Sequence, residues 1–286
     1  MSSHWWARTA AMFSIPLLML GGCAGPAPQT PAPPELATLA PARIAEILAS
    51  PDRSAADQTN DLRRKPAQML AFIGIRPGMV VLDLSAGGGY TTELLARAVG
   101  PSGQVYGQSA PRGMSRPPAQ REGNASPGMA APAASPAPRP SPVALAERAQ
   151  KAQLTNLIAV VQPFERPVPP ELAANGLDLV TLMFNYHDLG HLGVDRAQMN
   201  RAVFAALKPG GLYVIADHAG RAGTGISESG TLHRIEQAFL RAEVEAAGFT
   251  LLEEGHFLRN PADPRDQNTP NPPQPKDEFV LKFVKH

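Results

Sequence analysis

The chain predicts an α/β fold, a mostly parallel sheet of seven strands with helices on both faces. Three observations carry that reading. Short apolar, β-rich runs bounded by turn residues recur along the chain. Segments with helical spacing separate most of these runs, and such alternation places a parallel sheet between helical layers. The last two runs, Thr250–Phe257 and Glu278–Val284, have no helix between them, so an antiparallel C-terminal edge strand is expected.

Composition sets outer limits. Of 286 residues, 18% are charged and 43% hydrophobic, with a formal net charge of +1. That is chain enough for one sizeable core, and the charge is too balanced for nucleic-acid binding. The 31 prolines cluster at the N-terminus, in the middle and near the C-terminus, so they mark unstructured segments rather than the fold.

The first stretch reads as an export signal. His4 and Arg8 precede AAMFSIPLLML, a run too short to span a bilayer and laid out as a secretory signal. LGGC follows, with small Gly21 and Gly22 ahead of Cys23, and it resembles the bacterial lipobox, whose cysteine is lipidated. Residues 1–22 are expected to be a signal peptide, Cys23 the lipidation site and 24–41 a Pro/Ala tether. Ala24, rather than an aspartate, after the cysteine favours the outer membrane, with the domain facing the periplasm. Cys23 is the only cysteine, so the exported domain, residues 42–286, contains no disulfide and no thiolate metal site.

Within that domain, Ala42–Ala49 and Pro66–Ile73 are spaced as helices. The polar run between them, with Asp57, Gln58, Asp61 and Arg63, reads either as a lid or as a solvated helix face. A turn at Gly74–Gly78 leads to a buried strand at Val80–Leu84, a helix at Thr91–Val99 and a strand at Gln104–Gln108. About 111–142, rich in Pro, Ala, Ser and Gly with four arginines, is expected to be a disordered insertion. A helix at Val143–Gln153 and strands at Leu157–Val161 and Leu177–Phe184 follow. Then come a helix at Arg196–Leu207, a turn at Lys208–Gly211, a strand at Leu212–Ala216 and an amphipathic helix at Thr231–Ala246.

In such a sheet, ligands bind beyond the carboxyl ends of the strands, where strand order reverses. The first strand runs into DLSAGGGYTTEL, in which Asp83 is the strand-end acid. Gly87 and Gly89 let the backbone turn tightly and approach a ligand, and the next helix start favours an anionic group. As a dinucleotide fingerprint the loop lacks its third glycine. Polar residues gather at other strand ends: Asn185, Tyr186, His187 and Asp188 after the fourth, Asp217 and His218 after the fifth. His233 and Glu236 fall one turn apart on the predicted helix. His187 or His218 suits a general base. The alternatives are divalent-ion ligation by His187, Asp188, Asp217 and His218, or plain hydrogen bonding of the loop Ala219–Ser229. No ligand spacing is diagnostic, and no metal is expected.

VVLDLSAGGGYTTELLARAVGPSGQVYG resembles the first motif of class I S-adenosylmethionine-dependent methyltransferases. LDLVTLMFNYHDL and LKPGGLYVIAD are similar to that family's fourth- and fifth-strand regions, and EAAGF to the segment before its sixth strand. The resemblance spans roughly Pro66 to Lys285 and is greatest to exported methyltransferase-like proteins of bacteria with similar NYHDL and DHAG–LHRIE segments. It implies a Rossmann-like methyltransferase fold, S-adenosylmethionine as cofactor and in-line methyl transfer from a sulfonium. The cofactor site it implies comprises Asp83, Ser85, Ala86, Gly87, Gly89, Tyr90, Gln108, Ser109 and Asn185. The implied catalytic groups are His187, Asp188, Asp217, His218 and His233. Two departures stand out. Ser85 replaces the usual glycine, and Gln108 or Ser109 must serve where an acid commonly takes both ribose hydroxyls. The third strand likewise ends in Gln162-Pro163 rather than an acid. The expectation is a lipid-anchored monomer that methylates a small molecule or envelope component. A non-catalytic binding or scaffold lipoprotein on the same fold is the alternative.

Overall fold

The computed structural model describes residues 38–111, 140–268 and 276–286. The expected signal peptide, Cys23, nearly all of the expected tether and the body of the expected 111–142 insertion lie outside them. The described residues fall in one unit, Leu36–His286, and no helix among them is long and apolar enough to cross a membrane.

Helix α1 (Pro41–Leu48) starts on a proline whose fixed φ suits a first turn. In α2 (Ala55–Arg64) the Ser54 hydroxyl caps the Asp57 amide at 3.1 Å, and Arg63 and Arg64 sit in the last turn. Left-handed Lys65 separates it from α3 (Pro66–Ile73). The polar run is therefore a helix in its own right.

The sheet contains β1 (Val80–Leu84), β2 (Gln104–Ser109), β3 (Leu157–Val161), β4 (Leu177–Met183), β5 (Leu207–His218), β6 (Thr250–Gly255) and β7 (Glu278–Val284). Their order is β3-β2-β1-β4-β5-β7-β6. Strands β1 to β5 are parallel, and β7 runs antiparallel to both neighbours. The antiparallel C-terminal strand thus lies one place in from the edge, and β6 forms the edge itself. The remaining helices are α4 (Tyr90–Val99), α5 (Ser141–Lys151), α6 (Asp188–His191), α7 (Arg196–Ala206) and α8 (Gln237–Glu245).

Alternation along the strands divides the core into two layers. Val81, Leu179, Val214 and Val280 pack with Ile47, Ile73 and Leu95 from α1, α3 and α4. Leu82, Val180, Ile215, Leu281 and Phe283 pack on the other face with Val203 of α7 and Val244 of α8. Both faces of the central strands are covered, which is why those strands read as nearly continuous apolar runs.

Two expectations are corrected. The turn expected at Lys208–Gly211 is absorbed into β5, as an irregularity between the pairs Leu177–Leu207 and Leu179–Leu212. Gly210 keeps a turn-like φ of 79°, while its N–H donates to Lys285 O at 2.7 Å and Lys285 N–H donates to Gly211 O at 3.0 Å. The helix expected at Thr231–Ala246 begins only at Gln237. Before it, Ile235 N–H donates to His218 O at 3.1 Å and Gly220 N–H to Ile235 O at 2.8 Å, so the backbone extends the end of β5 instead. His233 and Glu236 therefore share no helix face: His233 has φ 51°, and Glu236 precedes the first turn of α8.

Candidate active site

β1 lies between β2 and β4, so strand order reverses at its carboxyl end, and the glycine loop begins there. Ser85 and Gly89 have φ of 54° and 83°. Glycine is required at 89 twice over, by that φ and because a Cβ would meet Leu145 Cδ2 at 2.7 Å and Arg148 Cδ at 2.9 Å. Ser85 accepts the left-handed conformation with its hydroxyl donating to Asn185 Oδ1 at 2.5 Å and its N–H to Gln108 Oε1 at 2.9 Å. From α5, Ser141 Oγ donates to Gly87 O at 2.6 Å and Arg148 Nε to Gly88 O at 2.7 Å. The loop is held from behind, and Gly88 has open space in front of it.

Two cavities flank this loop. One of about 290 Å³ is bounded by Asp83, Ser85, Ala86, Gly87, Tyr90 and, from α2, Arg64. The other, about 210 Å³, is bounded by Ser85, Gly87, Ser109, Phe164, Asn185 and Leu192. Asp83 is buried at 2% exposure and accepts hydrogen bonds from Thr92 Oγ1 at 2.6 Å and Thr181 Oγ1 at 2.7 Å. Burial lifts its carboxyl to about 6 against the pull of those hydroxyls and of Arg64. The Arg64 guanidinium lies 4.0 Å from the Phe184 ring centroid. Burial, then the neighbouring charge of Arg63, brings it down to about 10.

Helix α2 is fastened over the first cavity by its charges. Arg53 binds both Asp61 oxygens at 2.7 Å, and Tyr90 Oη donates to Asp61 Oδ1 at 2.7 Å. Arg148 Nη1 lies 2.6 Å from Asp57 Oδ2 and 2.6 Å from Glu93 Oε2, joining α2, α5 and α4. Arg63 Nη1 donates to Glu278 Oε1 of β7 at 2.7 Å. The side chains read as a lid or a solvated face thus include Asp57 and Asp61, which are turned inward and paired.

A histidine and aspartate cluster occupies the ends of β4 and β5. Asp217 is fully buried. Its Oδ2 accepts the His187 N–H at 2.8 Å, and its Oδ1 lies 2.6 Å from His187 Nδ1. His187 Nε2 is 3.1 Å from Asp188 Oδ1, and His233 Nδ1 is 2.9 Å from the same oxygen. Burial pulls His187 down, but the Asp217 and Asp188 carboxylates outweigh it and lift the imidazole to about 9. His218 is held well below the usual range by burial and then by Lys276, so it stays neutral. Asn185 connects this cluster to the loop, since its Nδ2 donates to Asp188 Oδ2 at 2.7 Å while its Oδ1 receives Ser85.

Of the residues expected at the cofactor, Asp83, Ser85, Ala86, Gly87, Tyr90, Ser109 and Asn185 border the two cavities. Gly89 sits behind them at the start of α4. Gln108 faces neither cavity: its Oε1 receives Ser85 N–H, and its Nε2 donates to Gln162 O at 2.6 Å. Gln108 therefore braces the loop, and Ser109 is the strand-end group that borders the second cavity, its hydroxyl making one long bond to Val160 O at 3.4 Å. His187, Asp188, Asp217, His218 and His233 gather beside the cavities without lining them. Sequence reasoning missed Arg64, Arg148, Thr92 and Thr181. Only Arg64 had a signal, as the end of the polar run.

The family model of protein-L-isoaspartate(D-aspartate) O-methyltransferase matches residues 49–116, which include β1, the glycine loop, α4 and β2. No curated protein sequence matches the chain. Among solved structures, an S-adenosylmethionine-dependent methyltransferase from Aquifex aeolicus is similar with a TM-score of 0.53 and 18% identity, covering 87% of this chain and 100% of that one. The arsenic(III) S-adenosylmethionine methyltransferase of Chlamydomonas reinhardtii is similar with a TM-score of 0.51 and 18% identity, covering 86% and 74%. The cyclase SpnF is similar with a TM-score of 0.51 and 16% identity, covering 83% and 84%. The fold is that of S-adenosylmethionine-dependent methyltransferases, and the family match falls on the part of it that contains the glycine loop.

Proposed function

We propose that this chain transfers a methyl group from S-adenosylmethionine to a small-molecule or envelope acceptor, anchored by a lipid on Cys23 at the periplasmic face of the outer membrane. The observation that best supports the transfer is the pair of cavities around the glycine loop, the first of them lined by an Arg64 that forms no ion pair among the described residues. The cofactor supplies a methyl group activated on a sulfonium.

In this reading Arg64 takes the amino-acid carboxylate, and Asp83, with lone pairs beyond those used by Thr92 and Thr181, takes the ammonium. Ser109 and Asn185 hydrogen-bond the ribose, while Phe164 and Leu192 cover the base. His218, held neutral, has a lone pair for the acceptor's proton. His187, charged between two carboxylates, orients Asp188 and Asp217 rather than accepting a proton.

The test is calorimetric titration of the full-length chain in detergent with S-adenosylmethionine and S-adenosylhomocysteine, beside Asp83→Asn. One-to-one binding is expected, weaker by roughly tenfold or more in the variant, the scale of a lost charge-assisted hydrogen bond. No heat with either compound at high protein concentration overturns the reading. For the anchor, Cys23→Ser is expected to abolish incorporation of labelled fatty acid, and unchanged labelling overturns that part.

A further inference from the structure

We propose that His187 Nε2, Asp188 Oδ1 and His233 Nδ1 form a binding site for a divalent transition-metal ion beside the glycine loop. The sequence alone led us to expect no metal, because the three residues have no diagnostic spacing. The fold gathers them through the reversed φ of His233 and the bridge that draws Ile235 to the end of β5.

The distances suit a metal. Both imidazole nitrogens stand 3.1 and 2.9 Å from one carboxylate oxygen, and the three atoms lie within 4.8 Å of one another. Ligands about 2.1 Å from an ion and at right angles to each other are about 3 Å apart. Two imidazoles and one carboxylate leave coordination positions open, and this donor set suits zinc, manganese or iron(II) rather than calcium or magnesium.

Two of the donors, His187 and Asp188, are also backed as ligands need to be. Asp217 Oδ1, 2.6 Å from His187 Nδ1, accepts the N–H of that nitrogen, so an ion that displaces the Nε2 proton would find that lone pair already aimed at the Asp188 side. The His187 carbonyl accepts Ser229 Oγ at 2.5 Å, which fixes the ring's origin. Asp188 Oδ2 receives Asn185 Nδ2, and Oδ1 faces both imidazoles, with His191 Nδ1 farther off at 3.9 Å. Asp188 and Asp217 are buried at 1% and 0% exposure, and a divalent ion neutralises the two carboxylates together.

The ion's chemical role rests on the methyl-transfer reading, whereas its binding does not. Asn185 touches both Asp188 and Ser85, so the ion would stand one residue from the loop that both cavities share. An acceptor hydroxyl bound there would be acidified by the ion and would give its proton to His218, the base of the methyl-transfer reading. Its oxygen lone pair then forms the new O–C bond as the C–S bond breaks and leaves its electron pair on sulfur.

The experiment uses untagged full-length chain in detergent, stripped with a chelator and titrated with Zn²⁺ or Mn²⁺. Metal content, calorimetry and thermal melting are read together. One ion per chain and a raised melting temperature are expected. His233→Ala, whose side chain is only partly buried, should weaken binding at least tenfold, and Asp217→Asn roughly 10- to 100-fold. S-adenosylmethionine titration of His233→Ala should be unchanged, which separates failure of this site from failure of the cofactor reading. Pulsed electron paramagnetic resonance of the manganese-loaded wild type should show imidazole nitrogen coupling, a readout independent of any variant. No retained ion, no nitrogen coupling, or wild-type affinity in folded His233→Ala would each overturn the proposal.

Discussion

Asp83 shows at the scale of one residue how a site is held at a cost to the fold. Its carboxyl rises from 3.8 to about 6 because burial outweighs the hydroxyls of Thr92 on α4 and Thr181 on β4 and the guanidinium of Arg64 on α2. The folded state therefore binds this proton more tightly than the unfolded chain does. Its contribution to stability is complete below pH 3.8 and is lost as pH rises through about 6. Above that, the buried carboxylate costs on the order of 3 kcal/mol. Asp83→Asn removes the titration and keeps the shape. In the absence of cofactor it should be more stable than wild type at pH 8, by up to about 3 kcal/mol, with the gap closing by pH 4. Urea unfolding of both proteins at pH 4, 6 and 8 measures this, and a gap that ignores pH refutes the account. The same variant binds the cofactor less well in the proposed function, so stability and binding should move in opposite directions.

At the scale of elements, what the sequence shows depends on how far away the deciding partner lies. β1, the glycine loop and α4 are legible because an apolar run, three glycines and helical spacing are local signals. The start of α8 is not. Leu232, Ile235 and Leu240 suit a helix, but the Ile235 amide finds His218 O across the sheet end, and propensity yields to that pairing. The two strand-end candidates on β2 differ in the same way. Gln108 and Ser109 point to opposite faces, so only one of them can border the second cavity, and the register of Gly107 on Asp83 decides which. Arg148 is the extreme case. It binds Asp57, Gly88 and Glu93, separated from it by 91, 60 and 55 residues. A charge on a helix after a long insertion gives no hint of three such partners. The histidine cluster is half legible: His187, Asp188, Asp217 and His218 follow from strand ends and His233 from a predicted helix, but the cluster's shape depends on the backbone of His233.

For the whole molecule, the sheet separates the end that holds the candidate site from an end that is packed apolar core. The carboxyl ends of β1, β4 and β5 hold Asp83, Asn185 and Asp217, and β7 enters there with Glu278 opposite His218. At its other end β7 places Phe283, fully buried, opposite Tyr213 and Leu251. Lying between β5 and β6, that strand is covered on both edges, and the edge strand β6 leaves Leu252 57% exposed. Truncating Phe283 to alanine should therefore cost about 3–5 kcal/mol, the usual loss for a buried phenylalanine. Leu252→Asn should stay within about 0.5 kcal/mol of wild type, as surface changes do. Because domains of this kind have roughly 5–15 kcal/mol to lose, Phe283→Ala remains mostly folded at 25 °C. Its affinity for S-adenosylmethionine should then match wild type, in contrast to Asp83→Asn, which gains stability and loses binding. Urea midpoints and calorimetry on the three variants test this division. A Phe283→Ala protein that keeps its stability, or one that is well folded but binds tenfold more weakly, would show that the two ends of the sheet are not separable.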